Sequence, residues 1–402
     1  MSLLKQPTSV IGVLVAARVV NRLGGAGMGF LGVRLTRDLG VPLGTTSVVL
    51  ALFGAATIPS RVLGGVVTAR WGPRAALVAG LAAAGVAQAV VAAGDDLLVV
   101  VAGVVALGLA YEVVEPATQT AVVAGVEPGR RASRFSLLWA SLSVAGVVAG
   151  VLAALVTRWG VGALFAVDAA SSLLAAALVA LLLPTLPRPS RVPRAWRTAL
   201  RPRVLGWAGL CTVSATVVMV VVLVLPLAVE RAGHPPSTTA WLLVAGALSA
   251  VATHRVLARV EVDVPAHRVL AAGFVLLGAA LAAWAVGGVP ALVTGAVLEG
   301  AAGTLVVGTQ QAVASRLAIP GTEAAVMTVQ GLSWGVATLV APLLGGALLG
   351  LDPAAPWLAG AAVALLLAAG HARPPVALRP GWSAPRAAGT RGGARSGRGS
   401  RG

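Results

Sequence analysis

Apolar residues fill whole stretches of this chain, where a soluble helix or strand would show them at intervals. A run of about 20 apolar residues crosses the ~30 Å hydrocarbon core of a bilayer, because a helix rises 1.5 Å per residue. That length criterion predicts twelve helical spans: 10–33, 46–69, 75–94, 97–124, 135–157, 161–183, 204–229, 238–259, 268–287, 290–315, 323–350 and 355–371. The expected fold class is an all-α membrane protein of two pseudo-symmetric six-helix bundles. The first bundle covers 1–183 and the second 204–372, with a linker rich in Pro and Arg at 184–203 between them. The stretch 373–402 holds Pro, Gly, Ser and Arg with little to bury, and is expected to form a disordered basic tail.

Composition strengthens this picture. The 402 residues are 58% hydrophobic and 11% charged, where a soluble domain carries about 25% charged residues. A net charge of +17 would point to nucleic acid in a soluble protein. Here the arginines follow a topological rule, since cytoplasmic loops retain positive charge. Arg70, Arg74, Arg130, Arg131, Arg134, the linker arginines, Arg255, Arg259 and Arg268 fall on one side. Asp38, Asp95, Asp96 and Asp352 fall on the other with only a few arginines. Both termini are therefore expected in the cytoplasm. The first span is too long for a cleaved signal peptide, and the tail is expected to touch anionic lipid.

Charges inside the spans carry the chemistry. A carboxylate in hydrocarbon costs about 2.5–3.5 kcal/mol on insertion scales and normally faces a partner or water. Glu112 and Glu115, three apart, share a face of the fourth helix, in which Pro116 can place a kink. Arg18 and Arg22, four apart, share a face of the first. An antiparallel register sets Arg22 against Glu112 and Arg18 against Glu115. This cluster reads either as a proton-coupling site or as an ion network that fixes helix packing. Gly108-x-x-x-Glu112 is echoed by Gly295-x-x-x-Glu299, as a parallel internal repeat would give. Glu299 has no arginine within the membrane part of its own half, which suits a group that takes up and releases a proton. Asn21, Gln310 and Gln311 are cavity polar groups or glue between helices. Asp168 reads as a packing hydrogen-bonder, and Arg61 as a structural residue reaching toward the cytoplasmic interface.

The stretch Arg61-Val-Leu-Gly64-Gly65-Val-Val-Thr-Ala69-Arg70-Trp71-Gly72-Pro73-Arg74 resembles the signature loop between helices two and three of the major facilitator superfamily. Gly65, Arg70, Gly72 and Arg74 match that pattern; Ala69 stands where the family has its latch aspartate. Pro128 to Ala132, Trp159 to Asp168, and Pro320 to Gly346 resemble further elements of the family. Its proton-driven exporters carry a Gly-Pro element in helix five and an arginine in helix four, and neither is matched here. The resemblance implies a secondary transporter working by alternating access in a bacterial inner membrane. The expected partners are a small-molecule substrate, protons and membrane lipid, with a monomeric chain.

Proton-coupled export of an amphipathic compound is the expected activity. Uptake by symport, facilitated diffusion and a non-transporting membrane scaffold or sensor are the alternatives. No enzyme is expected, as no nucleophile–base pair or metal-ligand spacing occurs, and no cofactor or nucleic acid is called for. Gly27-Met-Gly29-Phe-Leu-Gly32 matches a dinucleotide pattern but lies inside a span, with no strand before it.

Overall fold

With no water in hydrocarbon to satisfy backbone N–H and C=O groups, a chain crossing it as separate segments must be helical. The computed structural model describes residues 10–126, 131–188, 197, 199–259, 264–319 and 322–372. Among these, twelve helices are long and apolar enough to span a bilayer, and there are no strands. They are α1 (Val10–Asp38), α2 (Leu43–Trp71), α3 (Pro73–Ala93), α4 (Leu97–Gly125), α5 (Arg131–Val156) and α6 (Gly162–Leu182). In the second half come α7 (Pro202–Arg231), α8 (Pro236–Arg259), α9 (Ala266–Val286), α10 (Val289–Leu317), α11 (Glu323–Leu351) and α12 (Ala355–Ala372). The expected basic tail, Arg191 and Arg194 of the linker, and the loop residues Pro128 to Arg130, Pro320 and Gly321 lie outside the described residues.

The outer surface is oily. Leu98, Leu181 and Leu366 are 75%, 81% and 72% exposed, an arrangement that suits lipid and not water. Small residues let the helices approach inside. Each half packs its helices in the same pattern. Pairs α1–α5, α2–α4, α3–α4 and α3–α6 recur six helices later as α7–α11, α8–α10, α9–α10 and α9–α12. Such recurrence is the mark of a parallel internal repeat.

Between the halves, the packed pairs are α2–α11, α5–α8 and α1–α7. At Gly54 a Cβ would strike the backbone of Thr338 and Leu339, and Gly335 lies against Thr57 and Ile58. Gly150 would meet Val244, and Gly32 would meet Leu227. Toward the end away from the termini, Gly346 sits on Ser47, and Thr36 donates to Glu230 across the halves at 3.1 Å. The halves are thus shut at that end. Helices α4 and α10 are not among these pairs.

Two spans are broken. After Gly24, α1 passes through a turn, a 3-10 segment (Gly27–Phe30), a short α segment and a π segment (Arg34–Asp38). The α4 span stops at Tyr111 and restarts at Val114. Pro116 explains the second break. It has no N–H for the carbonyl four residues back, at Glu112, and its ring crowds that turn.

Candidate functional site

The α4 break decides which way its acids point. A continuous helix would keep Glu112 and Glu115 on one face, but the break turns them to different neighbours. Arg18 Nη2 donates to Glu115 Oε2 at 2.9 Å, tying α1 to α4. Gln119 donates to the other oxygen of Glu115 at 3.0 Å. This is the pairing the register predicted.

The second predicted pair does not form. Glu112 takes Arg61 of α2 in place of Arg22. Arg61 Nε donates to Glu112 Oε2 at 2.9 Å, and Nη2 contacts the same oxygen. Ser60 accepts the backbone N–H of Glu112 at 3.0 Å, which ties the break to α2. Gly64 allows this approach, for a Cβ there would lie 2.8 Å from Val113 Cα and 3.2 Å from Pro116 Cγ. The expectation that Arg61 merely reaches to the interface is corrected accordingly. Its guanidinium also lies against Gly331 of α11, in the other half, where any side chain would overlap it. A proline four positions after the glutamate was the signal in the sequence for a broken helix and a redirected acid.

The Arg22 side chain forms no hydrogen bond or ion pair among the described residues and is exposed. Its guanidinium lies 3.8 Å from where a Cβ on Gly146 of α5 would sit. Tyr111, the only tyrosine of the chain, is 47% exposed with its ring edge-on to Phe53 at 5.5 Å.

Asp168 of α6 is 3% exposed and lies beside Gln88 of α3, itself 4% exposed. One oxygen of each, Asp168 Oδ1 and Gln88 Oε1, has no partner among the described residues. Gly24 and Gly27 of α1 press against this pair at the α1 break. Asn21 donates to Ser172 of α6 at 3.0 Å, which makes it glue between helices.

In the second half, α8 and α10 cross with Gly300 on the backbone of Gly246. Glu299 is half-buried there, and among the described residues no hydrogen bond or ion pair engages its carboxylate. It occupies a niche left by two glycines, with Cβ positions on Gly246 and Gly303 lying 3.7 and 3.8 Å from its oxygens. Its equivalence to Glu112 in depth does not hold. Glu112 follows Leu97, the start of α4, by fifteen positions; Glu299 follows Val289, the start of α10, by ten. At 1.5 Å per residue their distances from the helix starts differ by about 7.5 Å. The packing agrees, because Gly108 meets α2 whereas Gly295 meets the Trp284 ring of α9. Gln310 is buried, its carbonyl accepting from Trp207 Nε1 at 3.3 Å, and Gln311 is exposed.

The loop between α2 and α3 divides its expected roles. Gly72 adopts φ 87°, a conformation glycine reaches at no steric cost, and so sets the reversal. Arg74 donates to Ala180 O at 2.6 Å, where a cation suits the carboxyl end of α6. Arg70 is exposed. Gly65 matches the family pattern, yet a Cβ there would meet nothing within 4 Å. Gly64 makes the approach instead, because it faces the α4 break.

Two pseudo-equivalent six-helix halves, shut at one end around polar groups held at mid-span, define a multi-pass membrane transporter. The family model described as "Major Facilitator Superfamily" matches residues 14–263, and the chain belongs to that family. Solved structures agree in fold. A peptide transporter of the POT type in complex with sulfate superposes with TM-score 0.76 at 15% identity, covering 92% of this chain and 95% of that one. A POT family transporter in complex with 5-aminolevulinic acid gives 0.75 at 13%, covering 92% and 96%. The nucleoside transporter NupG gives 0.72 at 12%, covering 90% and 99%. No curated protein sequence matches the chain.

Proposed function

We propose that this transporter exports a small amphipathic compound across the bacterial inner membrane in exchange for protons, as a monomer with both termini in the cytoplasm. The observation that carries the coupling is a contrast between the halves. Glu112 is held by Arg61 and Glu115 by Arg18, and Asp168 lies beside Gln88. Glu299 alone among these acids is left without a fixed partner by the described residues. A carboxylate in a fixed ion pair has little reason to change protonation, whereas one in an apolar niche gains most from doing so. The exchanging group is therefore Glu299, and Glu112 belongs to the framework.

Orientation rests on charge. Arg70, Arg74, Arg255 and Arg268 gather at the end carrying the termini, and Asp38, Asp95, Asp96 and Asp352 at the other. With the termini inside, the packed end is external.

The test is reconstitution in liposomes with an internal pH dye, challenged with amphipathic compounds of either charge. Wild type moves protons against compound. Glu299→Gln loses the pH-driven flux while retaining compound-for-compound exchange. Undiminished pH-driven flux in Glu299→Gln defeats the coupling, and protons moving with the compound instead of against it establish symport.

A further inference from the structure

Asp168 of α6 and Gln88 of α3 are buried polar side chains that the coupling through Glu299 does not use. They lie beside each other where the two helices pack, since a Cβ on Gly85 of α3 would sit 3.1 Å from Ala169 O. Each keeps one oxygen, Asp168 Oδ1 and Gln88 Oε1, without a partner among the described residues. Both atoms are acceptors when the acid is ionised, so the pair is short of a hydrogen. Nearby donors are already committed. Ser171 Oγ donates to Asp168 O at 2.9 Å, and Asn21 Nδ2 donates to Ser172 at 3.0 Å.

The charged groups around it do not fill the gap. On α1, Arg18 holds Glu115, and Arg34 holds Asp38 and the carbonyls of Ala92 and Gly94. Arg22 of α1 and Tyr111 of α4 act on Asp168 through space, with no ion pair or hydrogen bond to it among the described residues. On α3 the one charged residue, Arg74, lies at the opposite end, and α5 carries no titratable residue over 137–156.

The same acid lies under the break in α1. A Cβ on Gly27 would sit 3.2 Å from Asp168 Oδ2, and one on Gly24 would sit 2.8 Å from Asp168 Cα. Just beyond this break, α1 makes the contacts that shut the end away from the termini. Gly29 lies against Val222 O, Gly32 lies on Leu227, and Thr36 bonds Glu230.

We propose that Asp168 holds an exchangeable proton, donated to Gln88 Oε1, and that this proton keeps α1 seated and that end closed. One hydrogen between the two bare oxygens satisfies both. Without it, a carboxylate walled off from water by the α1 glycines is costly, and α1 must lift to hydrate it. The step is uptake of one proton from water by the carboxylate, and nothing else is consumed. Glu299 then couples the proton to the compound, and Asp168 couples a second proton to the gate. The inference rests on the transport reading for one point, that the closed end has an open counterpart. Because the closed form binds the proton more tightly, closure is favoured at low pH and opening grows as pH rises.

Two readouts on the full chain test this, and neither needs a cargo. Infrared difference spectra of wild type, titrated from about pH 5 to about pH 9, should show a protonated-carboxyl C=O band that fades as pH rises. Isotope-labelled aspartate should shift that band, because Asp168 is the one buried aspartate among the described residues. Asp168→Asn should lack it. The second readout is labelling of Val222→Cys, in a Cys211→Ser background, by an impermeant thiol reagent added to vesicles from the end away from the termini. Labelling should rise with pH by up to about tenfold per unit, the limit for one proton, where the band fades. Asp168→Asn, with a permanent donor, should label slowly at every pH, whereas Glu299→Gln should respond as wild type does.

A band unmoved by labelled aspartate, or one that persists at every pH, overturns the exchangeable proton. A band that fades while labelling stays constant overturns its hold on α1. A pH response kept in Asp168→Asn and lost in Glu299→Gln assigns the gate to Glu299 and overturns the proposal. Closure driven by sodium at fixed pH overturns the proton as occupant. Both readouts as expected, with no flux of compound against protons, reject the exporter and leave this site standing.

Discussion

Arg61 of α2 holds Glu112 of α4 through Nε at 2.9 Å and through Nη2, while its guanidinium lies on Gly331 of the opposite half. One side chain thus belongs to an ion pair inside the first half and to the contact between halves. The two are mechanically joined.

Removing one member of this pair should cost more than removing both. Arg61→Met strands the Glu112 carboxylate, and loss of one partner of a buried pair costs about 3–5 kcal/mol when fully buried. Here the side chains are 17% and 16% exposed, so about 1–3 kcal/mol is expected. The double variant Arg61→Met with Glu112→Met should recover at least half of it. Thermal unfolding of all four proteins in detergent gives the coupling directly; additive losses would show that the pair is not energetically linked.

The glycines of α2 should differ sharply among themselves. Gly54→Ala drives a Cβ into the backbone at Thr338 and Leu339, which no rotamer change relieves. Gly65→Ala meets nothing within 4 Å. Expected outcomes are loss of flux and lowered Tm for Gly54→Ala, against a change within about 0.5 kcal/mol for Gly65→Ala. Gly331→Ala should fall between, since the Arg61 side chain can shift. Equal behaviour of Gly54→Ala and Gly65→Ala would show that α2 and α11 do not close as described.

Thr36 and Glu230 form a polar contact between the halves at the closed end. A hydrogen bond to a charged group is worth about 1.5–3 kcal/mol. Thr36→Val should therefore shift the open–closed balance by about tenfold or more. The measurement is labelling of Val222→Cys, behind that contact, by a water-soluble thiol reagent added from the end away from the termini. Slower labelling in Thr36→Val would contradict the role assigned to the contact.

Asp168→Asn should stabilise the protein or leave it unchanged, and Asp168→Leu should destabilise it. The unpartnered Gln88 Oε1 and Asp168 Oδ1 are both acceptors, and the amide of asparagine supplies the missing donor. A gain of about 1 kcal/mol in thermal stability is expected. A loss larger than that of Asp168→Leu would place the carboxylate in an interaction other than the one with Gln88.

The sequence by itself determined the number of spans, their helical state and the family resemblance. These depend on run length, on hydrocarbon thickness and on backbone groups that must bond within their own segment, all local along the chain. It also determined one ion pair, Arg18 with Glu115, because counting residues along two antiparallel helices measures depth. Depth is only one coordinate. Rotation about each helix axis was decided by tertiary structure, and there the expectations for Arg22, Arg61 and Glu112 diverged from the outcome. Pro116 breaks α4 just after Glu112 and turns it to α2, and three glycines break α1 just beyond Arg22. The same limit undid the match between Glu112 and Glu299. A shared five-residue pattern fixes spacing within a helix, but not how far into the bilayer that helix begins.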